Sequence, residues 1–373
     1  MELLLKTKVL FALGLIFSQM SLSSEISYRS SHPIAWMHGL PSGESPGWKT
    51  KRWFLTELQH GNYWNTDSSF TDLRSGDTHS YFVDFEQLLL HMEAGFEVSE
   101  NLSLSVGLPV VYRLGGILDR PLDDWHVFVG ADRFSRPSFP ENKNNWSVKK
   151  NGQEQLASSS SSGLGIAVLK AKYWFYQPGD EDQALDKKEL LGAAVSAQLK
   201  LPLRGAQSGL STGNMEASVL GHFGSQLFSR LYFWASAGLT KKASNPVLEG
   251  WPVNTWAQMY ETWFEVPLAE KWDFIFQLRY ESPLVEAGHL DFQYTAVTDK
   301  FQDAERAASG WNGLTAWRGS DALGFRYHIK EDQTLSLFFQ EDFALGGNDG
   351  RKNFLYVHGS PDVALVAQFQ TAF

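Results

Sequence analysis

Hydrophobic and polar residues alternate along most of this chain. Between 102 and 112, Leu102, Leu104, Val106, Leu108, Val110 and Tyr112 take every second position, with Ser103, Ser105, Gly107 and Pro109 between them. A strand points successive side chains to opposite faces, so this segment predicts a two-faced strand. Leu88, Leu90, Met92, Ala94 and Phe96 alternate with Gln87, His91, Glu93 and Glu97 in the same way. So do Trp272, Phe274, Phe276, Leu278 and Tyr280 with Asp273, Gln277 and Arg279. Twelve such segments are predicted: 52–64, 81–97, 102–113, 165–176, 190–202, 215–226, 230–240, 255–266, 271–281, 320–330, 333–344 and 362–373. In the first, Glu57 interrupts the apolar row. Most are long enough to meet the about 9–11 residues of a tilted membrane-crossing strand, where soluble strands average about five or six. Aromatic residues such as Tyr112, Trp272 and Tyr280 open or close the apolar rows, where a membrane barrel carries its interfacial girdles.

The connections sort by side. Those at 98–101, 227–229, 267–270 and 331–332 are short, those at 114–164 and 282–319 are long, and the charged stretch 177–189 breaks the rule. Long loops at one end and tight turns at the other are the habit of a membrane barrel, and a soluble sandwich has no reason to adopt it. The expected fold is therefore all-β, a transmembrane antiparallel β-barrel of about 12 strands with both termini periplasmic.

The first residues add export. Lys6 and Lys8 precede an apolar run, Val9 to Phe17, and small polar residues follow from Ser21 to Ser24. That order describes a cleaved signal peptide, and the run is too short to span a bilayer as a helix. The expected organisation is a signal peptide at 1–24, a periplasmic or lumenal segment at 25–49 and an outer-membrane barrel at 50–373. The middle segment, with Pro33, Pro41 and Pro46, is either a disordered lead-in or a small plug in the lumen. At the other end Val363, Leu365, Ala367, Phe369, Thr371 and Phe373 form the last apolar row. Phe369 and the final Phe373 are expected to signal to the barrel-assembly machinery.

Composition narrows the functional classes. There is no Cys, so neither disulfides nor a lipid anchor on Cys is available, and the net charge of −10 at pH 7 argues against nucleic acid as a partner. Outer-membrane lipids are the expected surroundings. The polar faces carry ionisable residues expected to line the lumen: His91, Glu93, Lys170, Lys172, Lys200, Glu216, Glu261, Arg279, Arg326, His328 and Asp342, beside Glu97, Arg113, His222 and Asp273. Such a lumen is either packed by ion pairs and water or a pore whose charges select a small polar solute. Twelve strands do not decide between these, lying between filled eight-stranded barrels and open porins. Asp119, Asp124 and His126 lie close together in the longest loop. They could act as a general acid–base pair or hold a divalent metal; equally, Asp there folds the loop by bonding nearby backbone. The motifs of nucleophile elbows, phosphate loops and zinc proteases are absent, and no cofactor or metal is expected. Three readings stand: a channel or solute-uptake protein, an outer-membrane enzyme of lipid-hydrolase or lipid A-modifying type using loop Asp and His, and a filled structural or assembly barrel.

Several short motifs resemble a known family. They are Gly116-x-x-Asp119, Asp124-Trp125-His126 with Gly130 after it, Gly163-Leu164-Gly165, Lys200-Leu201-Pro202, Glu341-Asp342 and Ser360-Pro361-Asp362. In order and spacing they resemble the exported proteins grouped as domain of unknown function 3187, over about His32 to Phe373. The resemblance implies an exported, barrel-like protein and assigns no activity.

Overall fold

The computed structural model describes residues 33–44, 52–129, 141–157, 162–176, 190–228, 231–286, 290–293, 314, 317–330, 332–345 and 363–373. A short helix α1 (Pro33–Met37) precedes β1 (Arg52–Asp72), β2 (Thr78–Ser99) and β3 (Leu102–Leu114). Helix α2 (Asp119–Val129), β4 (Asn145–Lys150), β5 (Gln153–Ala157) and β6 (Gly163–Leu164) fill the longest connection. There follow β7 (Ile166–Tyr176), β8 (Leu190–Pro202), β9 (Glu216–Phe228), β10 (Leu231–Lys241), β11 (Trp256–Ala269) and β12 (Trp272–Glu281). The chain ends through β13 (Leu290–Gln293), β14 (Trp317–Lys330), β15 (Gln333–Leu345) and β16 (Val363–Ala372).

Twelve of these strands, β1–β3, β7–β12 and β14–β16, pair antiparallel with their neighbours around a closed ring. Closure runs from β16 to β1, with Trp53 opposite Ala372 and Asn62 opposite Val363. All twelve coincide with the alternating segments of the sequence, because alternation is what a wall with one polar and one apolar side requires. The four strands without a counterpart among those segments, β4, β5, β6 and β13, belong to the long loops. β4 extends the sheet along the far half of β2 and β13 along the far half of β1. This explains why β1 and β2, at 21 and 22 residues, are about twice as long as a bilayer needs. The first hairpin rises past the membrane and carries the folded loops of the long-loop end.

The two faces separate by chemistry. Leu104, Val106, Leu169, Val219, Leu323, Phe325, Leu337 and Leu365 lie exposed on the outside, an apolar belt that only lipid covers at no cost. Aromatics flank it: Trp272 meets Tyr327 at a tilt, with centroids 4.8 Å apart, at the short-turn end, and Tyr260 meets Trp317 at 6.0 Å towards the long-loop end. The inner face buries Ser103, Ser105, Ser196, Gln198, Gln277 and Gln368.

The first strand takes its sidedness from a single residue. The apolar row of the first segment, interrupted by Glu57, does not face lipid. Trp53, Leu55 and Glu57 turn inward, and Leu58 is 43% exposed on the outer side. Both faces of β1 are apolar at its start (Trp53, Phe54, Leu55), so local alternation does not choose between them. The choice falls to Glu57, which inside stands opposite His91 and Gln368, and which lipid would strip of its hydration. Gly95, directly across from Trp53, leaves the space for its indole: a Cβ there would lie 2.3 Å from the ring.

Candidate functional site

The inner face closes around a peptide from the start of the chain. Residues 33–37, Pro-Ile-Ala-Trp-Met, are apolar on every side and form one helical turn with Pro in its first position. A helix with no polar face must be buried all round, and every one of the five is. Gly39 ends it in the left-handed region, at φ 54°. Trp36 packs on Leu89, Val111 and Leu210. It fits because residue 165 is Gly, where a Cβ would lie 2.8 Å from the indole. Ile34, Ala35, Met37 and Leu40 join an apolar cluster with Tyr63, Phe85, Trp146, Leu248 and Trp251 under the long loops.

Below Gly39 the contacts become polar and descend towards mid-barrel. His38 Nδ1 lies 2.7 Å from Glu216 Oε1, and because an ionised carboxylate only accepts, that nitrogen carries the proton. Burial lowers the His38 pKa against the pull of Glu216. Lys200 reaches the His38 carbonyl at 3.5 Å, and Arg279 donates to the Pro41 carbonyl at 2.7 Å. The Gly43 amide donates to Glu261 at 3.1 Å, and the Glu44 amide to Ser236 Oγ at 3.3 Å. The Glu44 carboxylate ends the series between two ammoniums. It bonds Lys170 directly and lies 3.2 Å from Lys172. Burial pushes its pKa up, but Lys170 and Lys172 outweigh that and hold it at about 2.

Around this segment the barrel wall is tied by charge. Lys170 also meets Glu93 at 2.7 Å, and Glu93 accepts from Ser105. Arg279 bridges Glu261 at 2.8 Å and Glu281 at 2.7 Å. Towards the short-turn end Arg326 pairs with Glu265 at 2.7 Å, and His328 with Asp273. Ser196, His222 and Ser236 form a hydrogen-bonded chain of 2.8 and 2.9 Å across three strands. Of the ionisable residues expected in the lumen, His91, Glu93, Lys170, Lys172, Lys200, Glu216, Glu261, Arg279 and Arg326 are buried on the inner face and His328 is half-buried. The Asp342 side chain lies outside the described residues.

Among the described residues, Asp119 and Asp124 of the loop cluster do not form a shared site. Asp119, at the start of α2, is buried and accepts from Asn62 Nδ2 at 3.0 Å and from the Asn142 amide at 2.9 Å. Gly116 makes room for it, since a Cβ there would lie 2.2 Å from the carboxyl carbon; this is the physical content of the Gly-x-x-Asp spacing. Asp124 is exposed, and the side chain of His126 lies outside the described residues. The sequence did not single out Glu44, Ser196, Ser236, Glu265 or Glu281. The one available signal was a twelve-residue stretch, 33–44, in which an apolar turn, a Gly, a Pro and an acid follow in order. Two motifs of the resemblance meet this stretch: Gly165 faces Trp36 and Lys200 faces the His38 carbonyl.

A model of the family described as "Protein of unknown function (DUF3187)" matches residues 33–296. The match opens on the first residue of α1, so it takes in the lumenal stretch, and Glu341-Asp342 and Ser360-Pro361-Asp362 lie beyond it. No curated protein matches the sequence. Among solved structures, an outer membrane channel from Pseudomonas putida F1 is similar at 10% identity, over 90% of this chain and 100% of that one, with a TM-score of 0.48. A FadL homologue from Pseudomonas aeruginosa is similar at 12% identity, over 94% and 100%, with a TM-score of 0.35. The Ralstonia pickettii toluene transporter TbuX is similar at 11% identity, over 92% and 98%, with a TM-score of 0.36.

Proposed function

This chain belongs to the family described as protein of unknown function (DUF3187), and from that premise we propose that it is a channel of the bacterial outer membrane for small solutes, closed here by residues 33–44. The single observation that carries the reading is what fills the lumen. The inner wall packs around a separate stretch of chain, through Glu216, Arg279, Glu261, Lys170 and Lys172. A barrel built only as a scaffold closes its bore with its own strands' side chains. This one closes it with a peptide whose withdrawal leaves a polar bore.

The remaining assignments follow from that reading. Residues 1–24 act as the signal peptide, 25–49 as the lumenal segment and 50–373 as the barrel. The exposed apolar belt and its aromatic flanks suit an outer-membrane setting, with the short-turn end towards the periplasm. Phe369 and Phe373 serve as the assembly signal. An enzymatic role for the loop cluster is not favoured, because Asp119 is committed to Asn62 and Asn142.

Single-channel recording in a planar bilayer tests the proposal. The intact chain is expected to conduct rarely, and a folded variant lacking 33–44 to conduct steadily. Absence of conductance from that variant, with its barrel shown intact by circular dichroism, sinks the channel reading.

A further inference from the structure

We propose that Lys170 and Lys172 form a binding site for an organic carboxylate, which Glu44 occupies in the closed state. This rests on the channel reading and names the class of solute. Three observations lead to it. First, the Glu44 carboxylate is delivered to the two lysines by a peptide, not by the barrel wall, and it touches both ammoniums. Second, the site is built without that peptide. Lys170 is braced by Glu93, itself held by Ser105. Each ammonium also faces an indole, Lys170 that of Trp53 at 5.6 Å and Lys172 that of Trp174 at 5.5 Å. Both indoles are buried on the inner face, so the wall beside the lysines is apolar and aromatic. Third, the peptide is held by its backbone as much as by its charge, through Pro41, Gly43 and Glu44. The lysines therefore receive a carboxylate from a stretch of chain that is anchored to the wall independently of it.

Withdrawing Glu44 takes a carboxylate from between two ammoniums and leaves both facing the bore, where their charge attracts an anion. A solute anion restores the match. Its carboxylate accepts from both lysines, and an apolar or aromatic body lies against Trp53 and Trp174. Charge-assisted bonds of this kind are among the stronger ones proteins make. A neutral amide of the same shape offers no charge to the ammoniums. A cation is repelled.

Calorimetric titration of the full-length chain, folded in detergent, tests the site with benzoate, its neutral isostere benzamide and benzylammonium. Glu44→Gln is expected to bind benzoate about tenfold or more tightly than it binds benzamide, given the strength of charge-assisted bonds. Benzylammonium is expected not to bind. Adding Lys172→Gln should abolish the preference, and Lys172→Arg should keep it, which separates loss of charge from loss of fold. In the native chain benzoate should speed hydrogen exchange at the Gly43 and Glu44 amides by competing for the lysines, and benzamide should not. Equal binding of benzoate and benzamide, or a benzoate preference that survives Lys172→Gln, overturns the proposal. A Glu44→Gln chain that conducts yet does not prefer benzoate overturns the site and leaves the channel reading standing. One that prefers benzoate when no variant conducts keeps the site and removes the channel.

Discussion

Gly43 and Glu261 fit each other closely. The Gly43 amide donates to Glu261 at 3.1 Å, and a Cβ on residue 43 would lie 2.7 Å from the same carboxylate. Glu261 cannot retreat freely, because Arg279 holds it at 2.8 Å. A side chain at 43 must therefore move the peptide. Gly43→Val is expected to raise the open probability in bilayer recordings several-fold while the circular dichroism of the barrel stays unchanged. An unaltered closed state in that variant would mean that the segment does not close the bore.

Acid has a defined effect on the same closure. The Glu44 pKa lies at about 2, below its ordinary value of 4.5, so its ion pairs favour the closed state at every pH above 4.5. The contribution falls only as pH drops through the window between 4.5 and about 2. Conductance of the native chain is expected to stay low from pH 7 down to 5 and to rise below pH 4. The Glu44→Gln chain should show no such rise.

The wall ion pairs should be costly to break singly. Arg326 is fully buried, 2.7 Å from Glu265. Arg326→Met removes the cation beside the buried Glu265 carboxylate, which costs about 3–5 kcal/mol. Urea unfolding of the folded chain in lipid vesicles measures the loss. The double change Arg326→Met with Glu265→Gln should recover a substantial part of it, because the orphaned charge goes too.

The outer belt makes an opposite demand. Leu323 is 42% exposed near the middle of β14. Leu323→Arg there faces lipid and is expected to cost about 2–4 kcal/mol in the same vesicles. Its neighbour Ala322 points inward, so the two positions should differ in their tolerance of charge.

Much of this architecture was legible in the residues alone. Leu104 and Val106 against Ser103 and Ser105 already separate outside from inside, and the same holds for Trp272 and Phe274 against Asp273. A strand's two faces are set by parity, which is a local property. The first strand shows the limit. Trp53, Phe54 and Leu55 offer apolar groups to both sides, and only the pairing of Glu57 with His91 and Gln368 settles the parity. The loop cluster shows another. Asp119 next to Asp124 and His126 invited a chemical reading, whereas Asp119 turned out to be held by Asn62 and Asn142, which only the folded loops bring to it.

The residues alone carry the twelve alternating strands and the rhythm of long and short connections between them. Each of these follows from spacing along a few residues of chain. Folding of the whole chain is what brings Glu44 to Lys170 and Lys172, Trp36 into the space left by Gly165, and β4 and β13 onto the first hairpin. Those contacts join residues from distant parts of the chain. They depend on strand register and on the closure of β16 against β1, and a polar inner face looks the same in sequence whether water, ion pairs or a peptide lies against it.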